Sequence, residues 1–141
     1  MSIVTFVIPG IAVGKGRPKF ARRGNFVTAY TPEKTASYEN LVKLHAGIAM
    51  DGSNPFIEAV RCVIDVSVIP SASFSKKKRL EAVSGVLHPT SKPDIDNVTK
   101  GIFDAMNGIV WLDDKQVVEM VVRKRYAEIA QTVVTVEQIE S

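Results

Sequence analysis

The sequence predicts a single α+β domain over residues 1–141, with helices packed on a small mixed or antiparallel sheet. The chain has the length of one ordinary domain, so a single hydrophobic core is expected. Hydrophobic residues make up 45% and charged residues 23% of it, which is typical of a globular protein. Its periodic segments follow the order strand, loop, helix, strand, short helix, helix, strand, strand, and this order favours an α+β arrangement.

The amino-terminal part predicts a strand, a basic segment and a helix. Residues 3–8, IVTFVI, form the strand, which Pro9-Gly10 ends. Residues 14–30 carry five basic residues and no acidic one, and their glycines and proline disfavour a helix, so a basic loop or irregular hairpin is expected. Thr31-Pro32-Glu33 combines a hydroxyl, a proline and an acid, which predicts the start of an amphipathic helix over roughly 32–49.

The middle of the chain predicts a long strand and a short helix. Residues 56–69 alternate in polarity and are rich in β-branched residues, which predicts a strand that Pro70 ends. Ser73 or Ser75 then caps a short helix that Gly85 closes. Four basic residues open this helix, where their charges interact unfavourably with the helix dipole. These residues either bind an anion or form a solvated face. They are Lys76, Lys77, Lys78 and Arg79.

The carboxyl-terminal part predicts a third helix and two closing strands. Residues 97–106 place apolar side chains at helical spacing, and Asn107-Gly108 stops the helix. Two strands are expected near 116–126 and 132–139.

Charge is distributed unevenly along the chain, whose net charge is +3. Residues 1–92 contain 13 Lys and Arg against six Asp and Glu, a net of +7, whereas residues 93–141 contain five against nine, a net of −4. A protein that handles a polyanion through metal ions needs both a basic surface and a carboxylate cluster. Charges also scatter unevenly by chance, so this split alone is not diagnostic.

Cysteine and hydropathy patterns predict a cytoplasmic protein that does not enter a membrane. Cys62 has no other cysteine in the chain to pair with and lies in an apolar run, which predicts a buried thiol. No apolar run approaches the ~20 residues that span a bilayer. The first residues lack the basic lead and the cleavage pattern of a signal peptide, and are interpreted as a strand.

The residues that carry chemistry lie in two acidic pairs. Asp94 and Asp96 follow Pro93. If this segment is extended, their carboxylates share one face, about 6–7 Å apart at the backbone, and can converge on divalent cations. Two-metal phosphodiester sites hold ions ~3.5–4 Å apart between carboxylates. Asp113 and Asp114 are adjacent, so only one of them can face the metals, and the sequence pattern leaves open which.

Two polar residues accompany the first acidic pair. Asn97 and Lys100 lie three apart on the following helix and project together. Lys100 could reach a phosphate oxygen as it gains charge, and Asn97 could orient an aspartate or a water.

Two other interpretations compete with catalysis. An Asp-x-Asp sequence before a helix is often only a turn plus a helix cap. Asp94-x-Asp96-x-Val98 also resembles the nucleophile loop of haloacid-dehalogenase-type phosphatases. That loop follows a buried parallel strand, which the prolines of residues 87–93 exclude, so we reject this second interpretation.

The segment from 92 to 118, KPDIDNVTKGIFDAMNGIVWLDDKQVV, resembles the core of the RusA family of Holliday junction resolvases in order and spacing. Upstream, three further segments resemble the phage-associated branch of that family: GKGRPKF, YTPEKT and SFSKKKR. The resemblance covers most of residues 9–126. It implies a homodimer that binds four-way DNA junctions and nicks two strands symmetrically with Mg²⁺. It places the family's acidic residues on Asp94, Asp96 and Asp114, and its essential lysine on Lys100.

The expected function is therefore that of a magnesium-dependent endodeoxyribonuclease acting on branched DNA, with water attacking the phosphodiester in line. Asp94, Asp96 and Asp114 are expected to hold Mg²⁺, while Lys100 stabilises negative charge; Asp113 is a supporting candidate. Two basic groups are expected to hold phosphates without reading bases: Lys15, Arg17, Lys19, Arg22 and Arg23 on the amino-terminal arm, and Lys76, Lys77, Lys78 and Arg79. The alternatives are a non-catalytic protein that binds branched DNA, and a metal nuclease for flaps or structured RNA.

Overall fold

A four-stranded mixed sheet forms the centre of the molecule, and the helices pack on one of its faces. The computed structural model describes residues 1–16, 19–24, 26–30 and 33–140; between 19 and 30 it describes the backbone and the Arg22 side chain. The elements are, in chain order, β1 (Ile3–Pro9), β2 (Lys19–Arg23), β3 (Phe26–Tyr30), α1 (Glu33–Met50), β4 (Val60–Val68), α2 (Lys76–Val83), α3 (Ile95–Met106), a 3-10 helix (Asp114–Gln116), β5 (Val117–Tyr126) and β6 (Gln131–Gln138).

The sheet has the strand order β1-β6-β4-β5. The strand β6 runs antiparallel to both β1 and β4, whereas β5 runs parallel to β4, so α2 and α3 lie in a crossover between two parallel neighbours. Every second residue of β1, β4 and β6 is buried, as the alternating pattern predicts. The predicted α+β fold is confirmed, and its sheet is mixed.

The helices α1 and α3 cover the buried face of the sheet. Tyr38, Val42, Ala46 and Met50 of α1 recur every four residues and are all buried. The buried apolar residues of α3 are Val98, Ile102, Ala105 and Met106. The core formed in this way holds α3, and hence the predicted acidic residues, at a fixed place beside β5.

Most predicted elements are confirmed, with differences at their ends. The basic segment contains an antiparallel hairpin of β2 and β3, and Ser75 caps α2 by accepting a hydrogen bond from the Lys78 N–H at 3.1 Å. The predicted strand 56–69 begins only at Val60, because Phe56 instead makes an isolated backbone bridge with Trp111. The predicted helix start at Thr31-Pro32 lies outside the described residues.

Cys62 is buried in β4, as predicted, and burial raises the pKa of its thiol to about 12. Such a thiol stays protonated at neutral pH and is a poor nucleophile. In the part of the chain that the structure describes, no helix is long and apolar enough to cross a membrane.

Candidate active site

The first acidic pair lies at the amino terminus of α3. Asp94 has an extended backbone, with φ −69° and ψ 132°, and is the residue before the first helical turn, so Asp96 already belongs to the helix. The condition under which both carboxylates would share one face, an extended segment from Asp94 to Asp96, is therefore not met. The two-residue repeat of a strand does not apply to this pair.

Asp94 occupies the cap position without using its side chain to cap the helix. Its carboxylate makes no capping hydrogen bond to the helix, and it accepts only a long one from the Asn97 side-chain amide at 3.4 Å. Asp96 accepts from the Asn97 backbone N–H at 2.9 Å. Both aspartates are exposed. A carboxylate at a cap position that does not cap is available for another role, which counts against the interpretation of this motif as only a helix start.

The second acidic pair is held against α3 by Trp111. This residue is fully buried, and its indole N–H donates to the Asn107 side-chain oxygen at 2.7 Å. Its ring meets that of Phe103 edge to face, with centroids 5.2 Å apart. The residues that follow therefore start from a fixed point beside the carboxyl-terminal half of α3.

The two adjacent aspartates have different surroundings. Asp113 caps the 3-10 helix and accepts a hydrogen bond from the Lys115 N–H at 3.1 Å. Asp114 is half-buried and lines a groove between α3 and β5. Of these two aspartates, Asp113 is engaged as a helix cap, and Asp114 is the one that lines the groove.

The groove has a volume of about 540 Å³ and brings together three of the predicted site residues. Its polar side chains are Asp96, Lys100, Asp114 and Thr99, and its apolar ones are Ile95, Phe103, Met120 and Val122. Asp94 and Asn97 line a neighbouring cavity of about 410 Å³, together with Lys34, Lys92, Pro93 and residues 11–16. Within the described ranges, no three His, Cys, Asp or Glu residues lie close enough together to hold a metal ion.

The surroundings of Asp114 disfavour the ionisation of its carboxyl group. Burial raises its pKa above the ordinary value, and hydrogen bonding and negative charge from Asp113, with the charge of Asp104, raise it further; the Asn107 side chain acts in the opposite direction. Carboxylates that disfavour one another's ionisation are stabilised by a nearby cation. Carboxylate oxygens are the hard ligands that Mg²⁺ prefers, and the groove offers two carboxylates, those of Asp96 and Asp114.

Two residues that sequence reasoning missed support the acidic loops. The Gln116 side-chain oxygen accepts from the N–H groups of Leu112 and Asp113 at 2.8 and 3.0 Å, and its amide donates to the carbonyls of residues 56 and 58. Asp113 followed three residues later by a glutamine is the spacing of a capping box, which could have indicated this role. Lys124 donates to the carbonyls of Ser91 and Pro93 at 2.7 and 3.0 Å, which no local pattern indicates.

Lys15, predicted as a DNA contact, is engaged inside the protein. Its ammonium donates to the carboxylates of Asp104 at 2.7 Å and Glu39 at 3.0 Å. The hydrogen bond to Asp104 is the largest cause of its raised pKa; burial opposes it, and Glu39 reinforces it. Lys100 lies 3.8 Å from the same oxygen of Asp104. Neither Asp104 nor Glu39 was singled out from the sequence.

The other predicted DNA contacts lie on exposed surfaces where the structure describes them. The guanidinium of Arg22 donates to the Gly24 carbonyl at 3.2 Å within the hairpin. The four cations of α2 are exposed, with Lys78 stacked 4.2 Å from the Phe74 ring centroid. Arg17 and the side chains of Lys19 and Arg23 lie outside the described part of the chain.

Acidic side chains and a lysine in one groove are the kinds of group that phosphodiester cleavage uses. The family model described as Endodeoxyribonuclease RusA matches residues 9–137, which include every residue of the groove. The chain therefore belongs to the RusA endodeoxyribonuclease family. It is also 34% identical, over 145 residues and the full length of both chains, to a protein of Bacillus subtilis (strain 168) named Uncharacterized protein YqaN. Membership of the phage-associated branch stays a prediction.

Proposed function

We propose that this chain is a magnesium-dependent, structure-specific endodeoxyribonuclease that resolves Holliday junctions by paired symmetric nicks. One observation carries the proposal: in a member of the RusA endodeoxyribonuclease family, Asp96, Lys100 and Asp114 line one groove. Carboxylates that bind a metal and a cation that stabilises developing negative charge are the two parts that phosphodiester cleavage requires.

Each residue near the groove has a separate role in the proposal. Asp96 and Asp114 hold Mg²⁺ from the groove, and Asp94 contributes from the adjacent end of α3. A bound magnesium ion supplies Lewis-acid stabilisation and lowers the pKa of water. Lys100, whose side chain is 68% exposed, reaches a non-bridging phosphate oxygen and stabilises the negative charge that develops on that oxygen. Asn97 orients the Asp94 carboxylate through its side-chain amide.

Thermal unfolding with and without Mg²⁺ tests whether Asp114 helps to bind the metal ion. An acid whose folded pKa lies above its unfolded pKa adds stability only at low pH, and this contribution is lost as the pH rises through the folded value. Because the pKa of Asp114 is raised, the metal-free Asp114→Asn protein should be at least as stable as wild type at neutral pH. Mg²⁺ should raise the Tm of wild type and of the control Glu137→Gln, which changes an exposed residue. It should raise the Tm of Asp114→Asn by a smaller amount. Equal Mg²⁺ shifts in all three would remove Asp114 from the metal site.

Basic surfaces flank the acidic groove in the proposed complex. Lys34 and Lys92 line the cavity next to Asp94, and the hairpin of β2 and β3 carries further cations. These groups would contact backbone phosphates, which positions DNA without reading its sequence.

The salt dependence of junction binding tests the hairpin. Each phosphate contact contributes about 0.9 to the log–log slope of affinity against salt, so the double change Arg22→Ala and Arg23→Ala should lower the slope by up to about two contacts' worth. Lys43→Ala, which removes an exposed cation from α1, is the matched control and should leave the slope unchanged. A slope that is insensitive to the hairpin changes would mean that the hairpin does not touch DNA.

The proposed assembly is a homodimer, because paired nicks in a two-fold junction need two related sites. Among the described strands β5 pairs only with β4, which leaves its other edge open. Val118 and Met120 on this strand are 64% and 56% exposed, and Met120 also lines the groove, which supports a contact between copies there. Light scattering at micromolar concentration should give the mass of a dimer, and Val118→Glu should lower it. A wild-type monomer that still makes paired cuts would contradict this assembly.

The separation of Asp94 from the groove supports a second candidate, a protein that binds branched DNA without cutting it. A nuclease for flaps or structured RNA is the third, because phosphate contacts discriminate poorly between similar shapes. Cleavage and binding assays separate the three candidate functions. The substrates are a four-way junction, a flap, a structured RNA and a linear duplex, each with and without Mg²⁺. A cytoplasmic location stays a prediction.

A further inference from the structure

The proposed catalytic lysine belongs to a network that joins the amino-terminal arm to α3. Asp104 lies one helical turn beyond Lys100, and its Oδ2 atom is 3.8 Å from the Lys100 ammonium and 2.7 Å from that of Lys15. Lys15 also pairs with Glu39 of α1 at 3.0 Å. Two lysines and two carboxylates therefore share one network, in which a single oxygen of Asp104 faces both lysines.

The position of Lys15 in this network is fixed by its backbone. Its N–H donates to the Asn97 carbonyl at 3.0 Å, and the following N–H, of Gly16, donates to the Thr35 hydroxyl at 3.0 Å. The approach to α3 is close: a Cβ atom on Gly14 would lie 3.1 Å from the Asn97 Cβ, and one on Gly101 would lie 3.7 Å from the Lys15 Cβ. The arm is thus packed against the helix that carries the proposed site.

The two lysines differ in how tightly they are held. The Lys15 side chain is 24% exposed and has two carboxylate partners at hydrogen-bond distance, whereas the Lys100 side chain is 68% exposed and has one partner at 3.8 Å. Lys15 is therefore the closer cationic partner of Asp104, and it shares its charge between Asp104 and Glu39. Lys100 is left close to a carboxylate that guides it but does not bind it firmly.

We propose that Asp104 and Lys15 are positioning residues for Lys100. Asp104 directs the Lys100 ammonium towards the groove, and Lys15 neutralises Asp104 enough for Lys100 to leave it when DNA binds. This inference rests on the proposed function and assigns Lys15 a role inside the protein rather than on DNA.

The proposal predicts an asymmetric pattern of rescue. In Lys15→Met, Lys100 is the only lysine of the network that remains to pair with Asp104. Lys100 then stays bound to Asp104 and does not reach the phosphate, so the cleavage rate of bound junction should fall about tenfold. Adding Asp104→Asn removes the competing carboxylate and should restore several-fold of that loss. Adding Glu39→Gln instead also removes one negative charge from the network, at the other partner of Lys15. Because Asp104 stays ionised, this change should not restore the cleavage rate.

The experiment measures single-turnover cleavage of a pre-bound, labelled four-way junction in Mg²⁺, with the Kd and Tm of each variant. If Lys15 is a DNA contact, Lys15→Met raises the Kd for the junction. Asp104→Asn then restores the cleavage rate no better than Glu39→Gln does. If the network only stabilises the fold, the rates follow the Tm values. Rescue by Glu39→Gln equal to that by Asp104→Asn, or no rescue by Asp104→Asn, overturns the proposal.

A second measurement does not depend on cleavage. In DNA-free protein with isotope-labelled lysine, the side-chain NMR signal of Lys100, assigned by its loss in Lys100→Arg, should move in Asp104→Asn and in Lys15→Met. Glu39→Gln should move it less. If the signal moves as expected but wild type cuts no junction, the proposed function fails and the coupling stands. If Asp104→Asn leaves the signal in place, the inference is wrong whatever the cleavage rate.

Discussion

Asp96→Asn and Asp114→Asn are each expected to reduce cleavage of a four-way junction by orders of magnitude while the protein still binds it. An asparagine keeps the size of the side chain, but its neutral amide is a poor ligand for Mg²⁺. Without metal, clustered carboxylates repel an incoming phosphate, so junction affinity should stay equal or become slightly tighter. Cleavage assays and gel shifts run side by side, with circular dichroism to confirm folding, give both quantities.

Controls for this experiment come from the same chain. Glu137→Gln removes an exposed carboxylate from β6 and should cut at the wild-type rate. Asp94→Asn is the informative intermediate case, because Asp94 lies in the cavity next to the groove and makes no capping hydrogen bond. A loss of cleavage would place Asp94 with the other two carboxylates. A folded Asp94→Asn protein that cuts at near wild-type rate would remove it from the site.

Trp111→Ala is expected to cause the largest loss of stability, about 3–5 kcal/mol of the free energy of unfolding. The indole is fully buried, contacts Phe103 edge to face and donates a hydrogen bond to Asn107, so its removal leaves a cavity and an acceptor without its donor. Urea unfolding measures this loss. Because Trp111 anchors the loop that carries Asp114, cleavage should fall even at temperatures where the variant is folded.

The neighbouring residue provides the matched control for Trp111. Leu112 is 59% exposed, so Leu112→Ala should change the free energy of unfolding by less than about 0.5 kcal/mol. Trp111→Phe keeps an aromatic ring but loses the indole N–H, and should lie between the two. A Trp111→Ala protein as stable as Leu112→Ala would contradict the anchoring role.

Local rules account for the elements that the sequence predicted well. The alternation of Val60, Cys62, Ile64 and Val66 defines the buried face of β4, because side chains alternate across a strand. Ser75 caps α2, and Asn107-Gly108 stops α3, through backbone requirements that lie within a few residues. The order of the motif also located Asp96, Lys100 and Asp114, which the fold gathers at one groove.

Features that depend on distant contacts could not be predicted in this way. Lys15 and Asp104 are 89 positions apart, and Gln116 reaches the Phe56 carbonyl across 60 positions. The start of α3 differs for a local reason. The helix begins at Ile95 and not at residue 97, so the segment from Asp94 to Asp96 is not extended, and helix ends are uncertain by a residue or two in any sequence pattern. The parallel pairing of β5 with β4 likewise depends on the whole sheet.

Mapping the cut sites on a labelled four-way junction shows whether the groove between α3 and β5 cuts branched DNA. Purified wild-type protein is incubated with a four-way junction labelled in turn on each strand, in Mg²⁺ and in EDTA, and the ends of the products are mapped. We expect two nicks at symmetric positions in opposing strands in Mg²⁺, and intact, bound junction in EDTA. A junction that is bound in both conditions and cut in neither would contradict this expectation, and would identify the protein as one that holds branched DNA.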